Sequence, residues 1–183
     1  MSEGSDIFRG FESHTHRQNF RGRMNKIHYD WQQIERWTQR IALDILKTDW
    51  RPDYIVGLTR GGLIPAVLLS HALGVPMHTL KVQIRDGEQD TEMNCWMPED
   101  VADGKNILIV DDINDTGETL AWIRDDWSKS VFQGDIEFHW HSRIRVAVLI
   151  NNLASNENID WCAMDINKTE DPRWIVFPWE SNN

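Results

Sequence analysis

Asn106–Ile123, NILIVDDINDTGETLAWI, is the stretch from which the rest of the chain can be read. Ile107–Val110 is an unbroken aliphatic run, the pattern of a strand buried on both faces. Asp111 and Asp112 stand at its end, and Asp115 follows shortly after. Thr116-Gly117-Glu118-Thr119 then opens a helix whose apolar positions Leu120, Ile123 and Trp127 share one face. Strand, acidic turn, small-residue loop and helix start together form an anion cradle. The first backbone N–H groups of a helix have no intrahelical partner, and the positive end of its dipole lies beside them, so a phosphate fits there.

The three acids beside that cradle need a reason, because they repel one another and would repel a bare phosphate. They are accounted for by a ligand that brings a divalent cation or a row of hydroxyls, for which carboxylates are natural oxygen ligands and acceptors. A sugar phosphate carrying Mg²⁺ meets both conditions. The competing reading is an ordinary polar turn closing a core strand. The strand–turn–helix context argues against it.

Working outward, the pattern recurs upstream. Tyr54–Leu58 follows Pro52 as a buried strand, and Thr59-Arg60-Gly61-Gly62 comes directly after it. Leu63–Leu73 is then a helix with Pro65 in its tolerated first turn and Gly74 as its stop. This second strand–loop–helix cradle carries an arginine and two glycines where the first carries acids. Before it, Asp30 is placed to cap a helix, with Gln33 reaching back as in a capping box. Ile34, Trp37, Ile41 and Ile45 form that helix's apolar face as far as Lys47.

Met77–Val82, Ile144–Ile150 and Trp161–Asp165 are further strands, and Ser128–Ser142 reads as irregular. Residues 85–104 are polar, acidic and turn-rich, a link long enough to be functional or mobile. His139 and His141 would share a face if they lay in a strand, but no further ligands stand at metal-binding spacing. With 183 residues, 40% hydrophobic and 26% charged, the chain suits one domain with a sizeable core. A net charge of −10 argues against a general nucleic-acid binder. Neither a membrane span nor a signal-peptide pattern is present, and Cys95 and Cys162 lie far apart, so a reduced, cytoplasmic protein is the simplest reading. Residues 1–25 carry Arg9, Arg17, Arg21 and Arg23 with no sustained apolar period, and read as a flexible extension ahead of a domain over 26–183.

At ILIVDDINDTGETL the chain resembles the 5-phosphoribosyl-1-pyrophosphate (PRPP) signature of the type I phosphoribosyltransferases. The likeness runs over about residues 26–180 and leans toward the 6-oxopurine branch, closest to the bacterial xanthine-guanine type. It implies an α/β fold with a mainly parallel twisted sheet flanked by helices, a flexible lid at about 85–104 and a small C-terminal hood at about 161–183. It further implies Mg²⁺-dependent transfer of the phosphoribosyl group of PRPP to a nucleobase by a dimer or tetramer. By resemblance, Thr116, Gly117, Glu118 and Thr119 hold the 5′-phosphate, Glu118 through its backbone. Asp111 and Asp112 engage the ribose hydroxyls and the Mg²⁺ shell, with Asp112 at the metal. Arg60 and Gly61 hold the pyrophosphate on a loop that carries a non-proline cis peptide. Asp115 is the catalytic proton acceptor near the base.

DPRWIVFPWE, residues 171–180, resembles the hood end of the xanthine-guanine type. That likeness implies Trp174 stacked on the base and the backbone near Ile175 reading its edge, with Trp179 in packing. The chain departs from the family at Asn151, which stands where 6-oxopurine enzymes carry a lysine that hydrogen-bonds O6. A neutral amide donates and accepts, so Asn151 leaves base choice open between purines and another acceptor such as a pyrimidine. A PRPP-sensing regulator without transferase activity is the rival reading. The acidic charge and the lack of a helix-turn-helix pattern count against it, and the arginine-bearing extension is the one feature in its favour.

Overall fold

A computed structural model describes residues 25–85, 88–91, 96–132 and 139–180. Strand β1 (Lys26–His28) leads into helix α1 (Trp31–Leu46), strand β2 (Tyr54–Thr59), helix α2 (Leu63–Leu73), strand β3 (Met77–Arg85) and strand β4 (Glu88–Thr91). Helix α3 (Trp96–Ala102), strand β5 (Ile107–Asn114), helix α4 (Glu118–Trp127), strand β6 (Ile144–Asn152), strand β7 (Trp161–Ile166) and strand β8 (Trp174–Val176) complete the order. The main sheet runs β4-β3-β2-β5-β6-β7, parallel throughout except for the β3–β4 pair. From β2 the chain moves to one side for β3 and then to the other for β5. The crevice between the carboxyl ends of β2 and β5 is therefore the topological switch point, where ligands of open α/β sheets bind.

Alternation along the central strands divides the core into two layers. Leu108 and Val110 of β5 face α1 and α2 with Ile34, Ile41, Ala66 and Leu69. Ile107 and Ile109 face α3 and α4 with Met97, Val101, Leu120, Ile123 and Trp127. Helix α1 starts where Asp30 accepts the Gln33 N–H at 2.8 Å. The return arm of a capping box does not form, because the Gln33 side-chain oxygen accepts from Arg36 at 2.7 Å instead. Helix α2 matches its expected bounds and ends at Gly74 with φ 68°.

Several segments are now defined in more detail than the sequence reading gave. Residues 96–102, within the stretch that the resemblance assigns to a lid, form α3, with Met97 and Val101 fully buried. Strand β4 pairs with β3, and residues 86–87 and 92–95 of that stretch, Cys95 included, lie outside the described residues. The irregular stretch after α4 begins with a π-helical turn, Ser128–Phe132. His139 and His141 sit in a turn, in keeping with the irregular reading of that stretch: the His139 carbonyl accepts the N–H groups of Ser142, Arg143 and Ile144, and His141 has φ 59°.

The hood is smaller than the sequence implied, because β7 is the edge strand of the main sheet. It consists of β8 paired in parallel with β1, an unanticipated strand, and a 3₁₀ turn at Pro178–Glu180. The Asn25 carbonyl accepts the Trp174 N–H at 2.9 Å. Residues 1–24, where the extension was placed, lie outside the described residues. No helix among the described residues is long and apolar enough to cross a membrane.

Candidate active site

Both cradles open on one crevice. The first is the turn from β5 into α4. Gly117 adopts φ 88°, and a Cβ there would press on Ser155 Oγ at 2.8 Å and Glu157 N at 2.9 Å. Only glycine combines that backbone with that space. Segment 153–158 backs the turn from behind: the Asn156 N–H donates to the Thr116 carbonyl at 3.1 Å. The Thr116 hydroxyl accepts the Glu118 N–H at 3.3 Å, while Ala121 N–H closes the first helical turn on the Gly117 carbonyl. The cavity over this turn, about 230 Å³, is lined by residues 111–120 and Val148.

The second cradle, at the end of β2, reaches the same acids. The Thr59–Arg60 peptide bond is cis, as the resemblance implied. A Cβ on Gly61 would overlap the Asp112 carboxylate, so the loop approaches that acid as closely as a backbone can. Arg60, Gly61, Asp111, Asp112, Trp179 and Glu180 border a cavity of about 590 Å³. Asp111 and Asp112 line both cavities, which makes them one site.

The acids carry the electrostatics of an unmet demand for positive charge. Asp111 Oδ1 accepts the Asp112 N–H at 2.9 Å. Burial, and after it the charge of Asp112, push the Asp111 carboxyl well above the usual carboxylate range. Burial, and then the charge of Glu180, raise Asp112 to about 6. A cation or hydroxyl donors arriving beside these two acids would favour their charged forms.

Asp115 sits past the end of β5 among groups that the sequence did not announce. Lys168 Nζ donates to its Oδ2 at 2.7 Å. Asn152 Nδ2 donates to its backbone carbonyl at 2.9 Å and to its Oδ1 at 3.3 Å. Next to it, Asn114 Nδ2 donates to Asn151 Oδ1 and to the Glu157 carbonyl, both at 2.9 Å, and Asn114 Oδ1 accepts from Ser155 Oγ at 2.8 Å. Asn151 Nδ2 donates to Asp165 Oδ1 at 2.9 Å. Its amide is thus oriented at both ends, and a flip would set donor against donor and oxygen against carboxylate. Arg124 pairs with the buried Glu157 at 2.6 Å, which ties α4 to segment 153–158.

On the hood, Trp174 is 51% exposed, whereas Ile175 is buried. Trp179 stacks on Phe177 with ring centroids 4.8 Å apart and also borders the Arg60 cavity. The crevice therefore gathers Arg60, Gly61, Asp111, Asp112 and residues 115–119, and Asn151 lies next to it in register with Asn114. Sequence reading missed Lys168, Asn152, Asn114 and Glu180. Asn114 lay inside the signature itself and Glu180 at the end of the hood stretch 171–180, but Lys168 and Asn152 stand in a polar turn and at a strand end with no spacing to mark them.

Comparison with known proteins identifies the family to which this fold belongs. The xanthine-guanine phosphoribosyltransferase of Cereibacter sphaeroides is 28% identical over 163 residues, covering 84% of this chain and 86% of that protein. Its counterpart in Gluconobacter oxydans is 28% identical over 162 residues, covering 85% and 86%. The crystal structure of a purine phosphoribosyltransferase from Pyrococcus horikoshii superposes with a TM-score of 0.65 at 29% identity, covering 86% of this chain and 95% of that one. The family model described as phosphoribosyl transferase domain matches residues 25–182, both cradles included, and the chain belongs to that family.

Proposed function

We propose that the protein transfers the 5-phosphoribosyl group of PRPP to a 6-oxopurine, releasing pyrophosphate and forming a nucleoside 5′-monophosphate. The observation that carries this reading is the convergence of two anion cradles on one pair of acids at the switch point, since PRPP is a sugar with phosphate groups at two ends. Residues 116–119 hold the 5′-phosphate with helix-start N–H groups. Arg60 and the Gly61 backbone hold the pyrophosphate. Asp111 and Asp112 accept from the ribose hydroxyls. Purine as the acceptor is supported by the named activities of the relatives.

The residues present fit Mg²⁺ carried in with the substrate. Among the described residues no group of three or more His, Cys, Asp or Glu could hold a metal ion. Mg²⁺ characteristically keeps several waters and binds through one or two carboxylates plus substrate phosphates, and Asp112 with Asp111 supplies that share. When bound, the ion supplies charge neutralisation for the departing pyrophosphate. The chain's own residues do the remainder. Trp174 stacks on the base, the Ile175 backbone borders its edge, and Asn151 lies at the end of the neighbouring strand. Asp115 removes the proton of the purine's five-membered ring, so that the attacking ring nitrogen carries no positive charge after the bond forms. The hood and the cradles together limit the access of water, the competing nucleophile.

The test is pyrophosphate release from PRPP and Mg²⁺ with guanine, xanthine, hypoxanthine, adenine, uracil and orotate in turn. Release with the three oxopurines above the others is the expected result. A folded protein that binds PRPP but releases pyrophosphate with none of them is a sensor, and the proposal fails.

A further inference from the structure

Lys168 follows β7 in the turn Asn167-Lys168-Thr169-Glu170, outside both cradles, and the reaction as described leaves it without a part. Its ammonium donates to Asp115 Oδ2 at 2.7 Å and lies 6.0 Å from the centroid of the Trp174 ring. The lysine side chain is only 20% exposed. The Asp115 side chain, at 44% exposed, stays open to a ligand.

Asn152 builds the arrangement. Its Oδ1 accepts the backbone N–H of Lys168 at 3.1 Å, and its Nδ2 donates to Asp115. One buried asparagine thus holds the turn of the acid with one end of its amide and the turn of the lysine with the other. A donor kept in place by its own backbone contacts is pre-organised for a ligand.

We propose that Lys168 recognises the exocyclic oxygen of the base, the task that family resemblance would give to a lysine at the position of Asn151. This rests on the purine-transfer reading above. On a 6-oxopurine, N7 and O6 lie side by side on one edge. A base stacked on Trp174 that presents N7 to Asp115 brings O6 against the donor next to that carboxylate, which is Lys168. An ammonium has three donors and no acceptor, so one N–H stays on Asp115 while another meets O6. The amino group of adenine at the same place sets donor against donor. Asn151 is ill suited to the task, because Asn114 and Asp165 hold its amide. On this proposal the donor to the base stands in the turn after β7, with Asn152 as its support.

The test compares two nucleotides that differ on this edge as oxo against amino. Calorimetric affinities for inosine 5′-monophosphate and adenosine 5′-monophosphate, and kcat/KM for hypoxanthine and adenine, are measured for the wild type and Lys168→Met. The wild type should prefer the oxo member of each pair. Lys168→Met should reduce that preference by about tenfold or more, the difference made by a hydrogen bond to a charged group. PRPP affinity should be unchanged, and Lys168→Arg should keep the preference. Lys168→Gln carries the same comparison if the methionine variant does not fold. An equal loss for both nucleotides, with the ratio unmoved, would make Lys168 a mere prop for Asp115 and overturn the proposal while leaving the transferase reading intact. A wild type that transfers to no base and binds neither nucleotide would overturn both.

Discussion

Gly117 shows how much a single residue can settle. Its φ of 88° turns the chain from the acids into α4, and segment 153–158 packs against the space a side chain would need. Left-handed backbone costs a residue with a Cβ about 1–2 kcal/mol, before any clash is counted. Gly117→Ala should therefore lower the urea midpoint by more than that strain alone, with an unchanged slope, and weaken PRPP binding. A midpoint within error of wild type would show that the turn relaxes freely. His141 offers a pH test at the same scale. Its Nδ1 lies 3.0 Å from Asp160 Oδ2, and this hydrogen bond raises its pKa, with the charges of Asp160 and Glu157 adding and burial and Arg124 opposing. A folded-state pKa above the unfolded value of about 6.5 gives stability that is fully present below that value. The contribution is lost as pH rises through the folded value. His141→Asn keeps a residue that tolerates φ 59°. It should destabilise the protein more at about pH 5.5 than at about pH 9 in thermal melts. Equal losses at the two pH values would rule out the ion pair.

Helix α3 is the element whose character changes most on folding. Met97 and Val101 stand one helical turn apart and are both fully buried against the β5 and β6 side of the core. Met97→Ala should cost about 2–5 kcal/mol in denaturant unfolding, as large-to-small changes in packed cores do. A mobile lid would give a change of less than about 0.5 kcal/mol at the same position. The contrast with α4 is instructive. That helix announced itself through Leu120, Ile123 and Trp127 and a preceding strand, whereas α3 is a 7-residue helix set in polar sequence. The Met97–Val101 spacing was the available signal, and the surrounding turn residues obscured it.

At the scale of the molecule, the two cradles belong to successive strand–loop–helix units that meet where the Gly61–Gly62 loop packs on Asp111 and Asp112. PRPP with Mg²⁺ would bridge β2–α2 to β5–α4 and so stabilise the whole fold rather than one loop. On the reading proposed above, ligand at about 100 times its Kd should add about 2.7 kcal/mol to stability. Thr116→Asp, which puts a negative charge where the 5′-phosphate sits, should remove that increment while leaving the melting of the free protein close to wild type. A stabilisation that survives in Thr116→Asp would place the phosphate elsewhere. The hood is likewise a long-range construction: β1 pairs with β8 across nearly the full length of the chain.

The order of the residues alone decided the parts whose causes lie close together in the chain. A strand, an acidic turn and a helix start within Asn106–Ile123 define their own geometry, and so do Tyr54–Leu58, the TRGG loop and α2. Their physics is local: side-chain period, unpaired N–H groups and a glycine where φ must be positive. The base side was decided differently. Lys168 meets Asp115 across 53 positions of chain, and Asn152 joins them only because β6 lies between β5 and β7 in this register. Strand order and register arise from the packing of whole layers, and no periodicity in the chain encodes which two turns they will bring together. For that reason the two strand–loop–helix cradles could be read from the letters, while the contact of Lys168 with Asp115 became visible only in the folded sheet.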